Sequence, residues 1–344
     1  MSSELSNAAM IGDINTIRLL IDGGADIDSL VDGYFLENWT ALMTASSQGY
    51  VAIAELLISH GADVNAVNSQ GRTALMEAVR LGSLDVAALL IKHGANINAK
   101  DHYGNTPLMH SVSSNEGRII ELLLTYGADI DIQNNKGETA LMIAVRLDCL
   151  VAILTLRDHG ANLELRNEDG RTALFIAAWT GSLAMIEHLL EMPSTLTLRN
   201  PQTQVTHMQS APNNSQITTL KKLLHHEKNN VPTIRSCINT ADIEGRTPLM
   251  MAAHFGHDDI VECLIKKGAD IEARDNYGED VYIHALNAHY GSFSSRVKRD
   301  AVLVKTNVIL QILEKYRNIR SVQYSSEVLA SNRESFFKKI KPSK

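Results

Sequence analysis

The stretch GRTALMEAVRLGSLDVAALLIKHGANIN (Gly71–Asn98) holds the pattern that decides the fold. It begins with Gly71-Arg72-Thr73-Ala74-Leu75-Met76 and runs through an Ala-containing segment to Gly82. A second segment, Val86-Ala87-Ala88-Leu89-Leu90-Ile91, has the apolar spacing of a helix and ends at Gly94. Thr73 is placed to cap the first helix with its hydroxyl, and Gly94 supplies the left-handed residue that closes the second. The stretch predicts two short helices joined by a turn.

The same phrase recurs. Thr40, Thr73, Thr106, Thr139 and Thr172 stand 33 residues apart and open Thr-Ala-Leu-Met, Thr-Pro-Leu-Met or Thr-Ala-Leu-Phe, and Gly61, Gly94, Gly127 and Gly160 keep the same interval. Gly245-Arg246-Thr247-Pro248-Leu249-Met250 repeats the beginning, and Gly268-Ala269-Asp270-Ile271-Glu272 repeats the ending. One 33-residue unit cannot bury its own Ala-Leu face. Stacking on neighbours can, so the repeat predicts a linear array.

These residues resemble the ankyrin repeat family. The resemblance implies an all-α repeat solenoid, with helix-turn-helix units joined by β-hairpin fingers. It also implies protein-protein interaction through the concave groove. The family's usual histidine in the fourth tetrapeptide position is methionine at Met43, Met76, Met109, Met142 and Met250 and phenylalanine at Phe175. An apolar packing row is expected there in place of the histidine's hydrogen bonds. A narrower resemblance, Leu57 followed by Asp63-Val64-Asn65, is to ankyrin hairpins hydroxylated on asparagine.

Composition sets the outer limits. The 344 residues are 44% hydrophobic, 21% charged and 5% aromatic, enough apolar content for an ordered chain. Three cysteines without CxxC spacing exclude a disulfide framework and a zinc ribbon. No apolar run reaches the length of a membrane span and no signal peptide is evident, so a cytoplasmic protein is expected, with delivery into a host cell as an alternative.

The period breaks in three places. Gly24 to Gly61 is 37 residues, and the extra ones fall in an aromatic finger ending at Trp39. Thr172 to Thr247 is 75 residues, with no glycine from Ser182 to Glu244 and four of the seven prolines inside the gap. This predicts a degenerate repeat over 198–239 with an irregular insertion, with repeat decay as the leading reading and a hinge or specific insertion site as the alternative. After Asp275-Asn276-Tyr277-Gly278 the pattern changes to Asp280-Val281-Tyr282-Ile283, followed by an amphipathic helix through Val308, Ile309, Leu310, Ile312 and Leu313. The expected organisation is an N-terminal cap at 1–31, five regular repeats at 32–197, the degenerate repeat at 198–239 and a regular repeat at 240–272. An atypical C-terminal cap at 273–317 and a basic tail at 318–344 complete it.

Charge is uneven. Arg296–Lys344 carries 12 Lys/Arg against 4 Asp/Glu, while the rest of the chain holds 20 against 35. The tail makes a weak membrane-surface contact an alternative, and no nucleic-acid partner is expected. A monomer is expected.

No phosphate loop, nucleophile elbow or His-Glu-x-x-His pair occurs, so no enzyme activity, catalytic residue, cofactor or metal is expected. Function falls to the surface positions the resemblance places in the groove. The ends of the first helices give Arg80, Leu81, Arg146, Leu147, Trp179 and Phe255. The fingers give Trp39, Arg72, His102, Tyr103, Lys136, Glu138, Arg171 and Arg246. Apolar residues at sites the stack does not need, flanked by arginines, suit an interface with another protein. A scaffold or adaptor is the leading reading. The alternative is a host-targeted bacterial effector or regulatory subunit in which the 193–238 insertion or the basic tail recruits or acts on a second component.

Overall fold

A computed structural model of the chain describes residues 2–30, 38–114, 116–190, 237–287 and 296–319. The finger residues 31–37, most of the 193–238 segment and the 320–344 part of the tail lie outside the described residues. The chain divides into two compact units, Met1–Asp169 and Gly170–Lys344.

The first unit contains five helix pairs: α1 (Ser2–Ile11) with α2 (Ile14–Asp22), α3 (Ala41–Gln48) with α4 (Val51–Ser59), α5 (Ala74–Arg80) with α6 (Leu84–Lys92), α7 (Pro107–Val112) with α8 (Gly117–Thr125), and α9 (Ala140–Arg146) with α10 (Leu150–Asp158). First helices pack on first helices from α1 to α9, and second helices on second helices from α2 to α10. The second unit holds α11 (Ala173–Thr180) with α12 (Leu183–Leu190), α13 (Pro248–His254) with α14 (Asp258–Lys266), and α15 (Val281–Leu286) with α16 (Arg296–Ile319).

Each repeat begins the same way because each threonine makes the same bond. The hydroxyls of Thr40, Thr73, Thr106, Thr139, Thr172 and Thr247 accept from the backbone N–H three residues on, at 3.2–3.4 Å. Asp280 takes this role at α15, accepting from Tyr282 and Ile283. The methionine row and Phe175 are buried, as an apolar substitute for histidine requires. One trace of the lost polar contact survives, since the Thr247 N–H still points at Met250 Sδ, 3.4 Å away.

The fingers are tight turns, with no extended strand among the described residues. In each, one Asn or Asp carboxyl or amide oxygen takes two backbone N–H groups: Asn68 from Gln70 and Arg72, Asp101 from Tyr103 and Asn105, Asn134 from Lys136 and Glu138, and Asp242 from Glu244 and Arg246. Single backbone bonds then join finger to finger within a unit: His102 N–H to Gln70 O, Asn135 to Tyr103, Glu168 to Lys136, and Asn276 to Glu244. At the opposite end of each repeat a second ladder runs through side chains. Asn65 accepts from Asn96 N–H, Asn98 from Asp129, Asp131 from Asn162 and Asn239 from Asp270.

The second ladder relocates the long break. α11 packs directly on α13 (Pro248–His254), and α12 on α14 (Asp258–Lys266), as neighbouring repeats do. Buried Ile238 and laddering Asn239 occupy the places of Val64 and Asn65 or Ile97 and Asn98. The helix pairs that begin at Thr172 and Thr247 therefore touch each other directly, and all but Cys237–Asn239 of the repeat expected at 198–239 lies outside the described residues. The Thr172 repeat is interrupted after α12, and Cys237–Asn239 supply its closing turn. A decayed repeat and a long insertion lengthen the threonine interval equally, so spacing alone does not separate them.

Candidate functional site

The first helices end differently along the first unit. α5 and α9 finish on Arg80-Leu81 and Arg146-Leu147, whereas α7 stops at Val112 and is followed by Ser113-Ser114. Both serine hydroxyls turn back to their own helix, Ser113 to His110 O at 2.8 Å and Ser114 to Ser111 O at 2.7 Å. Where the neighbouring repeats place a guanidinium and an isobutyl group, this repeat leaves space.

That space is a cleft of about 330 Å³ between the finger tips and the helix ends. Tyr103, Asn135 and Lys136 form its finger side, Ser113, Arg146 and Leu147 its helix side, and His110, Glu138 and Ile143 also line it. Tyr103 is 62% exposed and Leu147 46%, so the cleft offers apolar surface to solvent. Four residues predicted for an interface, Tyr103, Lys136, Arg146 and Leu147, meet here.

The arginines are less free than the sequence implies. Glu77, fully buried, draws Arg80 to its Oε2 at 2.7 Å and 3.0 Å, and Arg72 Nη1 lies 3.6 Å from its Oε1. Arg72 Nε also stands 3.9 Å from Asp101 Oδ2, the same oxygen that holds His110 Nε2 at 2.9 Å. Arg146 grips Glu138 with two bonds at 3.1 Å and 3.2 Å. Lys136 is exposed and has no acidic partner within ion-pair distance among the described residues. Burial holds His110 below the ordinary imidazole range despite its carboxylate neighbour. The cleft floor is neutral there at physiological pH, and its free positive charge is Lys136.

Sequence reasoning missed Glu77, Asp101 and Asp242. A signal was present: Glu77 lies five residues after Arg72 and three before Arg80, at a helix position where other repeats carry Ile143 or Ile176.

The second unit gathers Arg171, Trp179, Arg246 and Phe255. The Arg171 guanidinium lies 4.8 Å from the Trp179 ring centre and 4.0 Å from Asp242, and Arg246 closes on Asp242 with two bonds at 2.7 Å and 2.9 Å. Trp179 and Phe255 rings are 6.3 Å apart, and His257 Nε2 sits 3.3 Å from Trp179 O. Burial lowers the His257 pKa. The result is a half-exposed aromatic pair with one cation stacked on it.

The remaining predicted residues stand apart from both groups. Leu81 is exposed after α5, His102 is exposed at a finger tip, and Trp39 is half-buried just before the α3 cap. Asn65 uses its amide for Gly94 O and its oxygen for Asn96 N–H, so it is built into the ladder. Burial raises the thiol pKa of Cys149 and of Cys263, the opposite of what a nucleophile needs. No helix among the described residues is long and apolar enough to cross a membrane.

A family model described as ankyrin repeats in three copies matches residues 5–101 and 108–200, and a single ankyrin repeat model matches 244–276. The chain belongs to the ankyrin repeat family. The unmatched residues 201–243 coincide with most of the insertion that interrupts the Thr172 repeat. Among curated proteins, the chain is 40% identical over 67 residues to protein phosphatase 1 regulatory subunit 27 of Homo sapiens and of Mus musculus, covering 20% of this chain and 41% of theirs. It is 44% identical over 41 residues to ankyrin repeat-containing protein P1E11.10 of Schizosaccharomyces pombe, covering 12% of this chain and 20% of that one. The chain thus spans less than half the length of the curated relatives it matches. Ankyrin repeats are protein-binding modules.

Proposed function

We propose that this ankyrin protein is a non-enzymatic adaptor that captures a partner protein on the face made by its fingers and first-helix ends, the family's concave groove. The observation that carries the reading is the cleft at Ser113. The stack does not need it, its opening exposes Tyr103 and Leu147, and the cation at its rim, Lys136, has no acidic partner among the described residues. An apolar centre with a polar, charged rim is the composition of a protein interface. Trp179 and Phe255 give the second unit a contact surface of similar chemistry.

A non-enzymatic role is supported by the chemistry of the titratable groups. The arginines and acids around the cleft are engaged with one another, and the thiols of Cys149 and Cys263 are pushed up. The match to a phosphatase regulatory subunit spans 67 residues, about two repeat lengths, and supports capture of a protein without selecting which one. Cytoplasmic placement and action as a scaffold belong to the same proposal.

A photo-crosslinking amino acid placed at Tyr103 tests it. The expected result is a covalent adduct with a partner from cell extract, and none from the same group placed at Tyr126, which is exposed at the far end of α8 and outside the cleft. An adduct at Tyr126 with none at Tyr103 would place the interface elsewhere.

A further inference from the structure

The finger of the last repeat brings Asp275, Glu279 and His284 together, with one ligand-type atom from each lying within 4.8 Å of the others. Asp275 and His284 are buried, and Glu279 is half-buried at the rim. We propose that these three side chains bind a transition-metal dication of the zinc class.

The protein contains its own comparison. In the first unit, Asp101, Asn105 and His110 hold the same three places. Asp101 accepts Tyr103 and Asn105 N–H groups on one oxygen and His110 Nε2 at 2.9 Å on the other. Asp275 does likewise with Tyr277, Glu279 and His284, again at 2.9 Å. The Asp-His pair is therefore part of the repeat's construction, and two differences set the last repeat apart.

First, Glu279 replaces Asn105. Asn105 donates its amide to Asp101 at 3.4 Å, whereas Glu279 brings a second carboxylate to the same place. Second, the compensating cation is withdrawn. Arg72 stands 3.9 Å from Asp101, but its counterpart Arg246 is spent on Asp242 and Glu244, with contacts of 2.7 Å and 2.9 Å. Among the described residues, the only basic group within ion-pair distance of Asp275 or Glu279 is His284. Two carboxylates beside one imidazole favour a bound cation.

The chemistry selects the class of ion. Imidazole with carboxylates suits zinc and its neighbours over magnesium or calcium, which prefer all-oxygen sites. Bonds of 2.0–2.2 Å in a tetrahedral arrangement put adjacent ligand atoms roughly 3.4 Å apart. The 2.9 Å separation between His284 and Asp275 needs to widen by only about 0.5 Å, and rotation of Glu279 brings in the third ligand. The ion takes the place of the proton shared by His284 and Asp275. The other oxygen of Asp275 keeps its two backbone donors, and a fourth position remains for water.

Calorimetric titration of zinc into the full-length chain, compared with Glu279→Asn, tests the site. The variant copies the protein's own Asn105 arrangement and preserves the Asp-His pair, and Glu279→Gln serves as a second comparison should it fold poorly. Taking the difference removes zinc bound by other histidines. The expected result is one more equivalent bound by the unsubstituted chain, or affinity at that equivalent at least ~10-fold higher than in the variant. A cobalt absorption band that the variant lacks would accompany it, and magnesium at the same concentration would have no effect. Equal stoichiometry and affinity in the two proteins would overturn the proposal.

Discussion

Glu77 decides which arginines of the first unit are available to a partner. It is fully buried at a helix position that two other repeats fill with Ile143 and Ile176, and it is paired with Arg80 and Arg72. Removing Arg80 strands a buried carboxylate with one cation at 3.6 Å, and since Arg80 is one-third exposed the expected cost is about 2 kcal/mol, below that of a fully buried pair. Arg146→Ala breaks a more exposed pair with Glu138 and should cost about 1 kcal/mol or less. Urea denaturation of the two variants measures the difference, and equal losses would show that burial of Glu77 does not set the energy. Arginines at these positions read as interface anchors in the sequence because a guanidinium beside a leucine looks free. The buried acid that holds Arg80 lies only three residues away, but nothing in local spacing distinguishes a solvated acid from a buried one.

At the scale of the element, the repeat was almost wholly legible. Threonine caps, turn glycines and the alternation of Ala-rich and Leu-rich helices follow from short-range geometry, and the structure reproduces them. Two features were not legible. The long break reads as a degenerate repeat with an irregular insertion, and threonine spacing counts residues without saying where they go. The cleft was missed because it arises from what Ser113 lacks relative to Arg80 and Arg146, and an absence has no motif. The fingers are the element on which the cleft depends. Gly104 has φ +77°, and a Cβ there would lie 2.7 Å from Asn135 N. Gly104→Ala should therefore break the Tyr103–Asn135 link, since the new methyl meets backbone that cannot swing away. The expected outcome is a loss of about 1–3 kcal/mol and faster amide exchange at Asn135. Unchanged exchange there would mean that the finger bond contributes nothing to order.

For the whole molecule, low aromatic content and a mild net charge acquire a structural meaning. Ala, Leu and Met pack the thin layers of each unit together with Phe175, and among the described residues Tyr103, Trp179 and Phe255 stand at finger tips and helix ends. In the proposed function this surface holds another protein, with the Ser113 cleft as its seat in the first unit. Ser113→Arg tests that claim most directly, because it extends to this repeat the residue its neighbours already carry and fills the cleft without touching the core. The measurement is quantitative recovery of partner protein from cell extract, with thermal unfolding followed in parallel. The account predicts recovery reduced at least ~10-fold, equivalent to about 1.4 kcal/mol or more of binding free energy, with the unfolding transition unchanged. Recovery of the same partner at the original level with the cleft filled would contradict it.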